Sequence, residues 1–534
     1  MRLTNIRILN HARLADVDIE VRDHLVLVGP NDVGKSSLLR CLDLILGAST
    51  AQLYSRISAD DFRDPNQPFV IEAQLEEFTD EDRALFPDEI NIDPITGRAS
   101  LIVQLSASID TSETVDIHRR ALGAGHARQL SRDQVLGLEW KFLGATHQTR
   151  DLREDRRSPL DEILQAVELG SEEEDFESIA EALAKKLDDS VVLGTLREDL
   201  AAQLSRALPE PINSNELVFV PGASADDDVL SGVRLRVSKA GTSRDLSAQS
   251  DGTRALFAMA FYDLVSIGAN MIGIDEPEIH LHPTSQRSLA RLLKSNPNQK
   301  IIATHSSDIV SAFEADSIAV VRPGGEIVQP ELGFLSENEK LIVRWWVRDR
   351  LEPLTSRRVI VVEGPSDRII LEGVAEATDR NLDRLGISIV EAGSKNSIPS
   401  IEKLFGEAGF GIPLSQLIDE DAEAKTAKRL GVEVESLDTK SVWVSRVDLE
   451  DEYVAALGAQ NVWRALKKSS LFTANKLKTC TPSGPGDSFT EDDVATFCRS
   501  SKVEAAVVVA DMLEKDTAQK ITSVESLLSK IAQA

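Results

Sequence analysis

Hydrophobic positions divide the chain into two stretches of mixed strand and helix signals, separated by an acidic helical one. Residues 2–9 alternate apolar and polar side chains loosely and predict a strand. Leu25-Val26-Leu27-Val28 is a short, wholly apolar run stopped by Gly29, the pattern of a strand buried on both faces. After a glycine-rich turn, SSLLRCLDLILG places its apolar residues at helical spacing and stops at Gly47. Residues 68–75 and 99–108 predict further strands. Residues 151–210 hold 17 acidic and 7 basic residues at a helical period, with few glycines or prolines, and predict a helical insert. Strand and helix signals resume near Glu216 and run to about residue 325; residues 326–356 read as a connector with one amphipathic helix. From RRVIVVEG onward the order strand, turn, helix repeats: VIVVEG before SDRIILEGVAEA, then ISIVEAG before SIPSIEKLFGEAG. The expected class is α/β, with one lobe over 1–150 and 211–350, a helical insert over 151–210, and a second α/β domain over 351–534.

Composition narrows the function classes. The 534 residues suit about three domains, and 42% hydrophobic with 28% charged residues is ordinary for globular chains. A net charge of −29 argues against a surface that binds nucleic acid all over, and leaves room for a local basic groove and for carboxylates that hold cations. Three scattered cysteines are too few for a disulfide framework or a zinc site. The start, MRLTNIRILNHARL, does not read as a signal or transit peptide, and no apolar run approaches the roughly 18 residues of a membrane span, so the expected setting is the cytoplasm.

Two groups of residues carry candidate chemistry. Gly29-Pro30-Asn31-Asp32-Val33-Gly34-Lys35-Ser36 fits G-x-x-x-x-G-K-[ST] between a predicted strand and helix. Backbone N–H groups along Gly29, Asn31, Gly34 and Ser37 can cradle phosphates, Lys35 can meet the β/γ oxygens, and Ser36 can bind Mg²⁺. Far downstream, Met271-Ile272-Gly273-Ile274-Asp275-Glu276 is an apolar strand ending in two acids, with Asp275 placed for the metal and Glu276 for the attacking water. The strand 301–304 ends at His305, in reach of a γ-phosphate. In the second α/β stretch, Glu363, Asp367, Asp419 and Asp421 fall at successive strand ends, a set of oxygen donors suited to Mg²⁺ or Mn²⁺.

Together, the P-loop, EPEIHLHP (276–283) and ATHS (303–306) resemble the ABC-type ATPases of the SMC, RecF and OLD kind. The resemblance implies Glu276 as catalytic base and His305 as switch histidine. It also places a signature segment at Ser250-Asp251-Gly252-Thr253-Arg254, with Ser250 and Gly252 presenting N–H groups to phosphate, although the sequence departs there from LSGGQ. Residues 356–534 resemble a Toprim domain: a glutamate after the first strand, Gly393 after the second, D-x-D after the third. The two in this order are similar to the OLD (overcoming lysogenization defect) nucleases over essentially the whole chain. That resemblance implies an ABC-type P-loop ATPase with a helical dimerisation insert and a C-terminal, Rossmann-like Toprim domain. It further implies Glu450, then Glu452, at a second metal position, Lys502 as a catalytic lysine, and ATP with Mg²⁺ as cofactors, with Mn²⁺ or Ca²⁺ as other ions the Toprim site can use. The implied partners are DNA, a second copy of the chain or a higher homo-oligomer, and a helicase-like protein, with no membrane. Lys467, Lys468, Lys476 and Lys478 form a local basic stretch suited to phosphates.

The expected function is an ATP-hydrolysing or ATP-regulated, metal-dependent DNA endonuclease, in phage defence or DNA metabolism. Its alternative is an ATP-gated DNA-binding module whose Toprim domain is a non-catalytic scaffold. A topoisomerase needs a nucleophilic tyrosine, and only Tyr54, Tyr262 and Tyr453 are available. A primase has no need of this ATPase, and a transporter subunit has none of the Toprim carboxylates.

Overall fold

The computed structural model describes residues 1–109, 114–123, 127–144, 236–239, 242–245, 269–279, 281–295, 297–334, 351–393, 397–407 and 409–533, with isolated positions between 182 and 198 and at 336. Nearly all of the expected insert, the signature residues Ser250 and Gly252, and about half of the connector lie outside them.

The N-terminal part is two sheets around one helix. Strands β1 (Arg2–Leu9), β2 (Val17–Glu20), β4 (Phe69–Glu76), β5 (Asn91–Ile92), β6 (Ala99–Ile109), β7 (Val115–Leu122) and β8 (Ala127–Gln129) form an antiparallel sheet in the order β2-β1-β4-β6-β7-β8, with β5 paired to β6. Its members alternate buried and partly exposed positions, as one-sided sheets do: β4 reads Phe69, Ile71, Ala73 and Leu75 inward. The second sheet joins β3 (Leu25–Val28), β9 (Trp140–Leu143), β12 (Met271–Asp275), β13 (Gln299–Ala303), β14 (Ile318–Val321) and β15 (Ile327–Val328) in the order β15-β14-β3-β13-β12-β9. It is parallel apart from β15. The hairpin of β10 (Arg236–Lys239) and β11 (Thr242–Asp245) stands apart from both.

Helix α1 (Lys35–Leu46) lies between the sheets and buries Leu38, Leu39, Leu42, Ile45 and Leu46. Each such side chain removed from water is worth roughly 2–3 kcal/mol. The four residues of β3 divide by face. Leu25 and Leu27 join the core with α1 and the antiparallel sheet, whereas Val26 and Val28 join the core on the far side with helix α2 (Pro283–Ser295). A strand buried on both faces needs this unbroken apolar run.

The far-side core does not stop at the parallel sheet. It continues into the C-terminal part through Leu351, Leu354, Val359, Val361, Phe405, Phe410 and Ile412. There β16 (Arg358–Val362), β17 (Ile387–Glu391), β18 (Leu414–Asp419) and β19 (Val442–Ser445) form an all-parallel sheet in the order β17-β16-β18-β19. Helices α3 (Pro365–Ala377), α4 (Ile398–Phe405) and α5 (Glu420–Leu430) connect its strands. A helical cap follows: α6 (Leu449–Leu457), α7 (Ala459–Lys468), α8 (Glu491–Arg499), α9 (Lys502–Ala510) and α10 (Thr522–Gln533) share a third core with α3. Among the described residues no helix is long and apolar enough to cross a membrane.

Two imidazoles, His11 buried and His24 half-buried, tie the N-terminal part together, and both stay neutral. His11 Nδ1 accepts the N–H groups of Arg13 and Leu14 at 3.0 and 3.2 Å, with its ring edge-on to Phe69. His24 Nδ1 accepts the N–H of Lys300 at 3.2 Å. Burial pushes both imidazoles down from 6.5 to about 4. The unfolded chain therefore takes up these protons first, so their contribution to stability is complete above pH 6.5 and is lost as pH falls toward 4. Urea midpoints measured from pH 7.5 to 4.5 should fall through that window, and the fall should be shallower in the His11→Gln/His24→Gln double variant. Parallel curves for variant and wild type would refute this origin.

Candidate functional site

The first site forms where β3, β13 and β12 end side by side. In parallel sheets that edge is where loops converge and ligands bind. The turn after β3 is shaped by two glycines. Gly29 has φ +156° and lies so close to the Val321 carbonyl that a Cβ there would stand 2.2 Å from its oxygen; Gly34, at φ +111°, is packed against Arg13 and Leu14. Gly34 caps α1 without a side chain, so the first-turn N–H groups of α1 are open to an anion.

A cleft of about 660 Å³ opens over this turn, lined by Arg13, Asn31, Asp32, Gly34, Lys35, Ser36, Ser37, Glu276, Glu278, Ile279 and His305. Lys35 bends back over its own loop, donating to the carbonyls of Gly29 at 3.1 Å and Pro30 at 2.7 Å. Burial lowers its pKa against the pull of Glu276, Asp275 and Glu278. Ser36 Oγ donates to Asp275 Oδ1 at 2.9 Å, so two residues 239 positions apart meet as the sequence motif requires. Glu276 adopts φ +47°, a left-handed backbone rare outside glycine, and its N–H donates to Ala303 O at 2.8 Å. Strain of this kind concentrates at functional positions. Glu278 accepts Thr304 Oγ1 at 2.8 Å and the N–H of His305, and so ties the end of β13 to the turn after β12. Burial holds His305 below the usual imidazole range, and its Nε2 is buried without a hydrogen-bond partner among the described residues.

The structure thus brings Gly29, Asn31, Gly34, Lys35, Ser36, Ser37, Asp275, Glu276 and His305 together. Sequence reading had not assigned Arg13, Asp32, Glu278 or Ile279. Glu278 sat inside the EPEIHLHP motif, but its burial and its grip on His305 are visible only in three dimensions. Arg13 reaches the cleft from the turn after β1, where it pairs with Asp32 at 3.1 Å.

The second site forms at the same kind of edge in the C-terminal sheet. Asp419 ends β18, Glu363 follows β16 on the neighbouring strand, and Asp367 lies in the first turn of α3. Asp367 Oδ2 accepts the N–H of Gly364 at 2.9 Å, capping that helix. Glu450, on the first turn of α6, is buried, and its Oε2 accepts Lys502 Nζ at 3.2 Å. Burial first, then the charges of Asp367 and Glu363, raise Asp419 to about 7. Burial likewise raises Asp367 and Glu450. Burial opposes the Lys502 ammonium, but Glu450, Asp419 and Asp367 outweigh it and raise its pKa.

Two predicted ligands are placed differently. Glu452 turns away, accepting Ser523 Oγ at 2.7 Å, the Ser523 N–H at 3.2 Å and the Arg446 N–H at 2.9 Å. Asp421 is exposed on the first turn of α5. Neither is among the charges that act most on Asp419, which are Asp367, Glu363, Lys502 and Glu450.

Among the described residues no three carboxylate, histidine or cysteine side chains are closed into a ligand set. The fit to an ion rests on the donors: oxygen ligands only, in mutual repulsion, with one lysine at the rim, which suits a hard divalent cation and no soft one. Arg499 was not singled out from sequence. It bonds to both Asp448 and Asp451, which flank Glu450, and so ties the end of α8 to the start of α6, three residues before Lys502.

Comparison with known proteins agrees with this division. Residues 25–311 match a family described as AAA domain, putative AbiEii toxin, Type IV TA system, and residues 354–421 match the overcoming lysogenization defect protein-like TOPRIM domain. The chain is 23% identical over 462 residues to the OLD nuclease of Thermus scotoductus, covering 78% of this chain and 82% of that one. It is 23% identical over 470 residues to the Old nuclease of Escherichia phage P2, covering 77% and 76%. The solved C-terminal region of the Burkholderia pseudomallei OLD protein aligns with 33% of this chain and 98% of that one, at 22% identity and a TM-score of 0.28. The AAA family covers more than half of the chain, and with the Toprim match behind it the chain belongs to the OLD family, an AAA ATPase domain followed by a Toprim domain.

Proposed function

We propose that this chain hydrolyses ATP in the Lys35 cleft and cleaves DNA phosphodiesters at the Asp419 cluster. The observation that carries the second half is the gathering of Glu363, Asp367, Asp419 and Glu450 around Lys502 at one sheet edge. Held there, Mg²⁺ or Mn²⁺ would activate water and stabilise the leaving oxygen of the phosphodiester. Lys502 offsets negative charge developing on the phosphate, and Glu450 keeps its ammonium oriented. In the other cleft, Lys35 and the first-turn N–H groups of α1 bind the triphosphate, Ser36 and Asp275 orient its metal, and Glu276 polarises the attacking water. The neutral His305 donates or accepts one hydrogen bond at the γ-phosphate.

The topoisomerase reading is disfavoured by the placement of Tyr453. It is 1% exposed, and burial raises its hydroxyl well above the usual tyrosine range, the opposite of an activated nucleophile. The non-catalytic scaffold remains as a second reading because Asp419 is raised to about 7, where metal and proton compete for it. Two copies of the chain are proposed to pair through the acidic stretch 151–210, whose sequence predicts helix.

Supercoiled plasmid incubated with the full chain and Mg²⁺ or Mn²⁺, with and without ATP, separates these readings. The expected result is nicked or linear product that depends on the divalent ion and disappears with EDTA. DNA that is bound and never cut would establish the scaffold instead.

A further inference from the structure

The turn between β19 and α6 has features the carboxylate cluster does not account for. Ser445, the last residue of β19, pairs in register with Asp419, so Arg446 and Val447 emerge from the sheet one strand away from the nuclease carboxylates. Val447 has φ +59°. Eight other non-glycine residues among those described have positive φ, and all are Asn, Asp, Glu or Ser; Val447 alone is β-branched, the side-chain type least tolerated there. Its side chain is nevertheless 58% exposed, so no burial in the core compensates for the strain.

Polar side chains on three elements hold the turn in place. Glu420 Oε2 accepts the Val447 N–H at 2.9 Å, Glu452 Oε1 accepts the Arg446 N–H at 2.9 Å, and Glu452 is in turn held by Ser523 at the start of α10. On the far side Asp448 caps α6 and bonds to Arg499. Glu452 thus has work to do in this turn rather than at the ion. Arg446 is exposed, and among the described residues its guanidinium makes no ion pair. In a chain of net charge −29 most arginines in such surroundings would find a carboxylate.

A cation and an apolar side chain held outward side by side, at the rim of a phosphodiester-cleaving centre, match the chemistry of one ligand. We propose that the Arg446–Val447 turn is a DNA-contacting element, with Arg446 on a backbone phosphate beside the scissile one and Val447 against the adjacent sugar or base step. This rests on the nuclease reading above. Strained backbone of this kind is retained where function requires it.

The test uses the full chain. Val447→Gly and Val447→Asn, which tolerate left-handed backbone, should raise Tm by about 2 °C or more while reducing plasmid cleavage about tenfold. ATP hydrolysis, at the other site, serves as the control for folding. Arg446→Gln, measured by anisotropy with a labelled 30-base-pair duplex in an Asp419→Ala background, should weaken binding about fivefold. It should also reduce the slope of log affinity against log salt by about one unit. Wild-type cleavage by both Val447 variants, together with binding and a salt slope unchanged by Arg446→Gln relative to Asp419→Ala alone, would overturn the proposal and leave the nuclease standing. A Tm unchanged or lowered in both Val447 variants would overturn the strain argument on which it depends. A wild-type chain that neither binds nor cuts DNA would remove the nuclease reading itself.

Discussion

Asp419→Ala should abolish plasmid cleavage, by at least about 100-fold, while ATP hydrolysis continues at the wild-type rate. Asp419 is the carboxylate on which the others converge: it ends β18, and Asp367, Glu363, Glu450 and Lys502 all act on it. Losing it removes an ion ligand without touching the Lys35 cleft, whose lining comes wholly from the N-terminal part. The same substitution has a second signature that misfolding would not produce. Because burial and neighbouring carboxylates raise Asp419 to about 7, the ion-free native state binds a proton that the unfolded chain has already released above about pH 4. The ion-free fold therefore loses stability as pH rises from about 4 to about 7, and the loss is complete above that. In EDTA at pH 8 the variant should melt at a higher temperature than wild type, and added Mg²⁺ should raise the wild-type Tm only. A variant that melts lower in EDTA, with ATP hydrolysis also lost, would mean that Asp419 is structural.

Lys35→Ala should reduce ATP hydrolysis by about 100-fold or more and weaken nucleotide binding. Its ammonium, already drawn to the Gly29 and Pro30 carbonyls, belongs to the one lysine lining the cleft among the described residues, facing Glu276 and Glu278. Without it the phosphates would meet those acids with only the loop N–H groups and Arg13 in support. Steady-state hydrolysis and binding of a fluorescent ATP analogue check this. A variant that hydrolyses ATP like wild type would refute the assignment of the cleft. Cleavage by the same variant, with and without ATP, then reports whether nucleotide drives or restrains the nuclease.

How much of this was legible depends on how local each signal is. The strand–turn–helix at 25–46 and the apolar strand ending at Asp275 are read from adjacent residues, and the structure places them as expected. The same holds for β16 with α3 and for β18 ending at Asp419. Glu450 and Glu452 show the limit. Two residues apart on a helix, they point to different sides, and only the distant partners Lys502 and Ser523 decide which faces the cluster. Arg499 was missed for the same reason, since its two acids lie 51 and 48 residues away. The left-handed backbone at Val447 has no sequence signal at all, because valine is the residue one would least expect there.

The order of strands in the parallel sheet also sets a timetable for synthesis. The described strands of the antiparallel sheet all precede residue 130, so they can form early as the chain emerges from the ribosome. The strand that leads into the P-loop cannot finish so soon: β3 pairs with β13 and β14, which arrive only at Gln299–Ala303 and Ile318–Val321. At about 5–20 residues per second, Leu25–Val28 must wait on the order of 15–60 seconds for its neighbours, with the Val26 and Val28 face uncovered. Every nascent copy thus carries the strand that leads into the P-loop unpaired through about half of its translation.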